Sequence, residues 1–493
     1  MKKGARKMKE KDKTKRNTKV KLIIILIVII TTIMSIGFAY AKYKTTLQGE
    51  TSIKIAKWSF KVIDGNPQTI DVLDFPITRT DNNSDVQEDS IAPGTYGKFQ
   101  IEIDPRGTET MLIYEININF TNKPKNLRFY LDENMTYELE VINANLQISD
   151  FLSLEDVKNI AEKTIYWKWA METGSTEEEI NNNDLIDSEF IGKSVEMLIS
   201  VTGKQVLSSD DNQDYVILYD GNGATSGNVY ADAVVSNGDK VVKNNGFEKK
   251  YVVNLEANGG SVEKKSVISE YEFSHWSLDG RNSDVAFYSE EEVNNQNTCY
   301  TLKGREFIQY TDIAPYVDFY GVGNYYLCFD LKSENVSKYN VICVYCQNNE
   351  TSKYDFMNVD SNYGRIPLYV KEEYKEFKIN TEVKLSTSSD KYAMLAFYGV
   401  YGTGNFPVVK NVKFDVGKGY EETDTIKYSE IQSELNNNTL KLYAKWIPKS
   451  VNLPTPTKDG KTFSGWYTEK SGGTKVDDNY TPAGNVTLYA HWD

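Results

Sequence analysis

Histidine is nearly absent from this chain: its 493 residues hold two, His275 and His491. A zincin site needs two histidines one helical turn apart in His-Glu-x-x-His, so metalloprotease chemistry of that kind is excluded. A zinc site built wholly from carboxylates would suit so borderline-soft an ion poorly. Cysteine is scarce too. The four, Cys299, Cys328, Cys343 and Cys346, lie in one stretch of the chain. Gly-x-Ser-x-Gly, P-loop and dinucleotide fingerprints are missing. Gly402-x-Gly404 follows Phe397-Tyr398-Gly399 in an aromatic turn, with no Lys-Ser/Thr opening a helix behind it. No carboxylate pair for glycoside hydrolysis stands out among the 70 acidic residues, which read as solvated surface. No long stretch carries a 3.6-residue apolar period, so helices are not the main element. There is no Leu-Pro-x-Thr-Gly sorting signal, and covalent wall attachment is not expected. Together these gaps predict a chain that is not an enzyme, with no catalytic residues, no metal and no cofactor.

What is present begins with a targeting segment. A basic run from Lys2 to Lys21 precedes a continuous apolar stretch, Leu22 to Ala41, that closes on Ala39-Tyr40-Ala41. Small residues at both positions predict a signal peptide over residues 1–41, cut between Ala41 and Lys42. The alternative is an uncleaved anchor, since about 20 apolar residues span a bilayer. Either way the basic end stays inside and the rest is exported, and the membrane is met only through this segment. Residues 1–41 hold eleven basic and two acidic residues, so losing them takes the net charge from −14 to −23. An acidic chain repels phosphate, and nucleic acid is not an expected partner. Tyrosine is abundant, at 34 residues, alongside many Asn, Thr and Val, which favours strands and turns.

Two copies of one phrase mark the C-terminal part: Leu442-Tyr443-Ala444-Lys445-Trp446 and Leu488-Tyr489-Ala490-His491-Trp492. Between them lie Leu453-Pro454-Thr455-Pro456-Thr457, Phe463-Ser464-Gly465-Trp466-Tyr467 and Gly472-Gly473. Alternating aromatics supply a core, Pro and Gly-Gly mark turns, and the echoed phrase reads as a closing strand. On these elements, residues 447–493 resemble the internalin-type B-repeat (Flg_new) family. That resemblance implies a β-grasp-like module of secreted and cell-surface proteins. Upstream, Val216 to Ala224 and Val252 to Gly260 each place a strand before an Asn-Gly turn, the strongest short hairpin signal. Phe273-Ser274-His275-Trp276 mirrors Phe463-Ser464-Gly465-Trp466, with His275 in place of glycine at the turn. Its closing phrase arrives only at 442–446. One B-repeat is therefore predicted to be split, 215–283 with 421–446, around an inserted domain at 284–420.

Residues 42–207 read as one β-sandwich, with alternating runs at 53–55, 58–62, 99–103, 114–120 and 195–201. The phase slips at Ala56-Lys57, as at a β-bulge. Ile91 to Thr95 reads as a turn and Glu155 to Lys163 as a short helix. The ordered motifs Ile91-Ala92-Pro93-Gly94-Thr95, Asn126 to Tyr130, Tyr166-Trp167-Lys168-Trp169 and Glu172-Thr173-Gly174 resemble the TasA/camelysin family of exported Gram-positive envelope proteins. The resemblance implies a jelly-roll sandwich and a role as a matrix or fibre subunit. In such fibres the new N-terminus, Lys42 to Glu50, would enter the next subunit ahead of a first strand at Ile53. Lysines 42, 44, 54 and 57 and the bulge work against that pairing.

The insert carries strands at 325–331, 341–347, 393–398 and 409–415, and its order resembles carbohydrate-binding-module-like β-sandwiches. Tyr345, Gln347, Tyr398, Tyr401 and Asn405 could form a stacking platform with amide donors for a glycan; alternatively Tyr345 and Tyr398 fill the core. Its cysteines are open between buried thiols, disulfides and a metal pair at Cys343-x-x-Cys346. Strand geometry puts 343 and 346 on opposite faces, against a bond between them. The fold class expected is all-β: a jelly-roll-like sandwich, β-grasp-like repeats and an inserted β-sandwich. The function expected is a structural or adhesive protein of the cell surface or extracellular matrix, as in a biofilm. Its expected partners are copies of itself in fibres, or a polysaccharide or the surface of a host or neighbouring cell. The alternative is a glycan-binding surface protein acting through the insert.

Overall fold

The computed structural model describes residues 44–51 and 78–493, apart from 82–85, 87–89, 172–173, 207–213, 229, 235–237, 243–245, 282, 296–307, 322, 333–338, 349–352, 357–364, 370–371, 384–389 and 399–407. The targeting segment and the runs at 53–55 and 58–62, with the bulge expected between them, lie outside the described residues. Half of the described residues are strand and 9% helix, so the protein is all-β. It divides into two compact units. The first holds Met1–Leu131, Val141–Ala170 and Phe190–Asp214, and the second Asp132–Glu140, Met171–Glu189 and Tyr215–Asp493. The boundary is less simple than 42–207. Lys265 N donates to Ser175 O at 2.8 Å and Glu138 N to Thr225 O at 2.8 Å, so two excursions of the N-terminal region bond with the repeats.

The first unit is a sandwich of two antiparallel sheets. One runs Lys44–Thr51, Glu196–Val206, Met111–Thr121, Asn145–Leu152, Val141–Ile142, and the other Thr78–Arg79, Tyr96–Ile103, Ala161–Trp169, Leu127–Tyr130. Period-two patterning explains them. Phe99, Ile101 and Ile103 are buried while Gln100 and Glu102 are half-exposed. The faces meet through aromatics: Phe120 of one sheet stacks on Phe129 of the other with centroids 4.7 Å apart. The first described strand is Lys44–Thr51, on the edge of Glu196–Val206, and not the run at Ile53. The helix expected over 155–163 shrinks to a single turn, Asp156–Lys158, because Ala161–Trp169 is taken into the sheet.

The second unit contains one large curled sheet built from both repeats. Its strands include β1 (Tyr215–Asp220), β2 (Lys249–Glu256) and β3 (Ser266–Ser277). After β4 (Val408–Val416), which belongs to a different sheet, the chain adds β5 (Gly419–Tyr420), β6 (Thr439–Ile447), β7 (Phe463–Tyr467) and β8 (Val486–Trp492). The sheet order is Tyr230–Val234, β1, β6, β3, β2, β8, β7, with β5 beside β3. Each Leu-Tyr-Ala-x-Trp strand sits between a parallel Asn-Gly strand and an antiparallel Phe-Ser-x-Trp strand. β1 and β3 flank β6, and β2 and β7 flank β8. The sequence reading put both Asn-Gly strands in the split repeat. The register instead gives β2 to the terminal repeat, whose core takes Val253 and Leu255 beside Trp466, Leu488 and Ala490. The indole hydrogen bonds repeat the assignment: Trp446 Nε1 donates to Gly221 O and Trp492 Nε1 to Ala257 O, each at 3.0 Å.

The insert leaves and rejoins this sheet at one place. Val285 N donates to Trp446 O at 2.9 Å where the chain departs, and Ser277 Oγ donates to Val416 O at 2.7 Å where it returns. Inside it are two sheets. One runs Ala286–Tyr288, β4, Gly323–Lys332, Lys375–Val383. The other runs Ile308–Asp312, Asp390–Tyr398, Tyr339–Asn348, Lys353–Phe356, with Arg365–Tyr369 also on Tyr339–Asn348. Tyr325, Leu327, Phe329, Val412 and Phe414 form a core separate from that of the split repeat.

Candidate functional site

Three of the five residues expected to contact a glycan fall on neighbouring strands. Tyr345 and Gln347 pair with Met394 and Tyr392, and Tyr398, at the end of the partner strand, pairs with Val341. Tyr401 and Asn405 lie outside the described residues, as does Cys299. Cys343 and Cys346 are on that same strand, opposite Ala396 and Ala393. Cys328 is a buried free thiol. Its Sγ is 3.4 Å from Glu376 Oε1, and burial together with that carboxylate pushes the thiol up to about 12. His491 lies flat on Tyr467, ring centroids 3.9 Å apart, with Nε2 2.9 Å from Glu469 O.

The densest chemistry lies at the root of the insert. His275 and Lys445 face each other across β3 and β6. The register slips between Phe273 and His275, as it does between Phe463 and Gly465 in the terminal repeat, so both repeats carry the same bulge. Gly465 takes φ +138°, whereas His275 is not among the residues with positive φ. The expected disturbance of this turn by His275 is thus absorbed without left-handed backbone. Asp415, the penultimate residue of β4, reaches both side chains. Its Oδ2 lies 3.3 Å from Lys445 Nζ and 3.4 Å from His275 Nε2. His275 and Lys445 are fully buried and Asp415 is 4% exposed.

Each neighbour has a definite task. The Tyr326 ring tilts over the imidazole at 4.3 Å, and its hydroxyl donates to Glu421 Oε1 at 2.7 Å. Burial, then the Glu421 charge, drive that phenol far above its ordinary range, so it stays a donor. Ser274 Oγ is 3.0 Å from His275 Nδ1. Gly417, at φ +84°, turns the chain from β4 toward β5; a Cβ there would meet Ser277 Oγ and Asp279 Cβ at 2.7 Å. At Gly419 a Cβ would stand 2.3 Å from the Tyr326 ring. The crevice beside Asp415, walled by Asp284, Tyr316, Tyr325 and Phe414, has no room for a water molecule. A second ion pair secures the departing end. Lys249 Nζ donates to Asp284 Oδ1 at 2.6 Å and to Ser283 Oγ at 2.8 Å, under the Tyr271 ring.

Sequence reasoning singled out His275 as a departure from the repeat but missed Asp415 and Lys445. The signal was there in the two echoes: at the paired positions one repeat has His275 and Lys445, the other Gly465 and His491. Among the described residues no group of three or more His, Cys, Asp or Glu could hold a metal ion, and no helix is long and apolar enough to cross a membrane.

Residues 411–491 match the Listeria-Bacteroides repeat domain family. A stretch of 39 residues, 8% of the chain, is 62% identical to internalin H of Listeria monocytogenes serovar 1/2a, of which it covers 7%. Among solved structures, the CBM22-1-CBM22-2 tandem domain of Paenibacillus barcinonensis Xyn10C aligns over 66% of this chain and 83% of its own, with 11% identity and a TM-score of 0.19. The ANX2 ectodomain of Arabidopsis thaliana aligns over 71% and 94%, with 9% identity and a TM-score of 0.16. Superpositions this loose carry no argument about fold or function.

Proposed function

We propose that the chain is an exported, non-enzymatic structural or adhesive protein of the cell surface or extracellular matrix. The match of residues 411–491 to the Listeria-Bacteroides repeat carries this reading, since the sequence resemblance to B-repeats implies a surface module. The basic-then-apolar leader with its Ala-x-Ala end supports it. A matrix-subunit role for the first unit rests on its resemblance to the TasA/camelysin family. Self-assembly would exchange one strand: Lys44–Thr51 lies along Glu196–Val206, and the same edge of a neighbour could accept it. The second reading, glycan capture by the insert, is favoured by the pairing of the strands that carry Tyr345, Gln347 and Tyr398.

The test is a strain of the producing bacterium lacking the gene, assayed for adherence and matrix formation and complemented with the full chain. Loss of either property, restored by complementation but not by a chain lacking residues 1–41, is the expected result. Unchanged adherence and matrix in the deleted strain would overturn the proposal. Complementation by the full chain but not by one lacking the insert would favour the glycan reading.

A further inference from the structure

We propose that Lys445 and Asp415 are joined by an intramolecular amide bond, Nζ to Cγ, which welds the last strand of the insert to the closing strand of the split repeat. An amine and a carboxyl group already touch, 3.3 Å apart, with Lys445 fully buried and Asp415 nearly so. Asp415 Oδ2 and His275 Nε2 are buried without a hydrogen bond of proper geometry, so the carboxylate is poorly satisfied as an ion. Buried polar groups are nearly always paired, and each exception calls for an explanation. An ion pair kept out of water is costly to both members, whereas the amide formed from them carries no charge. Fixed contact replaces a bimolecular encounter, with effective concentrations of roughly 10⁵ M or more for well-oriented groups.

The step balances without an oxidant, a reductant or a co-reactant. The Lys445 ammonium gives one proton to the Asp415 carboxylate, leaving an amine and a carboxylic acid. The Nζ lone pair attacks Cγ, a C–N bond forms, and the bond from Cγ to the protonated oxygen breaks. A second proton leaves Nζ and joins the departing hydroxyl, which goes as water. His275 Nε2, 3.4 Å from Oδ2, is placed to carry that proton, and the contact of Nδ1 with Ser274 Oγ holds the ring. The terminal repeat shows what the same scaffold looks like without this chemistry. Its equivalent pair is Gly465 and His491, and His491 stacks on Tyr467 with its Nε2 on a backbone carbonyl.

The experiment is denaturing mass spectrometry of the purified full chain, followed by tryptic mapping. The expected mass is lower than that of the sequence by one water. The expected map contains a branched peptide joining the Asp415 segment to the Lys445 segment, with no cleavage after Lys445. Succinimide formation at Asp220-Gly221 would also lose water, but it would survive Lys445→Arg and leave no branched peptide. Lys445→Arg should restore the full mass. His275→Gly, which copies the terminal repeat, should leave much of the chain unlinked. Cleavage after Lys445 in full yield in the wild-type protein would overturn the bond, whatever the variants do. Complete linkage in His275→Gly would overturn the part given to the imidazole.

Discussion

Gly419 shows how tightly the root of the insert is packed. Its missing side chain leaves room for the Tyr326 ring, which covers His275. Gly419→Ala places a methyl 2.3 Å from ring atoms and should cost about 1–3 kcal/mol through overpacking. Gly484→Ala, with nothing within 4 Å, should stay within about 0.5 kcal/mol of wild type. Denaturant melts of the two variants check the contrast. Cys328 supplies a second test. Its thiol is raised to about 12 in the folded state from 9.0 and is buried. The folded chain thus keeps a proton that the unfolded chain loses. Its contribution is complete below pH 9 and is lost as pH rises toward 12. Tyr271, Tyr325 and Tyr420, also raised to about 12, add to the same alkaline decline. Melting temperature should hold up to about pH 9 and fall above it, less steeply in Cys328→Ala, and iodoacetamide should spare Cys328 until the chain is unfolded. Equal slopes, or rapid native labelling, would contradict this placement.

At the scale of elements, the Leu-Tyr-Ala-x-Trp echo announced both closing strands, because period-two burial and aromatic anchors are local properties of the sequence. The partner of each closing strand was not legible. Parallel pairing of β2 with β8 joins residues more than two hundred positions apart, and β2 has the same local signature as β1. Only the sheet register and the indole bonds of Trp446 and Trp492 separate the two. The same limit hid Asp415, an ordinary residue of β4 in the sequence whose contact with Lys445 of β6 only the fold brings about. His275 was visible because it broke a repeated phrase, whereas Lys445 stands at the variable position of Leu-Tyr-Ala-x-Trp, where no departure shows. It follows that residues 447–493 lack one strand of their own sheet. Expressed alone they should show little dispersion in amide NMR spectra. In the full chain Leu255→Ala should destabilise the terminal repeat by about 2–5 kcal/mol, as for a buried leucine. A well-folded 447–493 fragment would contradict the assignment.

For the whole molecule, the two ends of the insert bond to the neighbouring strands β6 and β3, and its core is separate from that of the split repeat. Replacing residues 286–415 with a short Gly/Ser linker should leave the rest folded, because Trp276, Trp446, Tyr219 and Leu442 keep their packing partners. Loss of cooperative melting in that deletion would show that insert and repeats fold as one. The proposed surface role remains to be tested on the whole chain. Brief protease treatment of intact producing cells, with mass spectrometry of the released peptides, tests this most directly. Peptides from residues 42–493 should appear, those from the insert among them, without cytosolic proteins and without the leader. Release of these peptides only after lysis would contradict a surface protein outright.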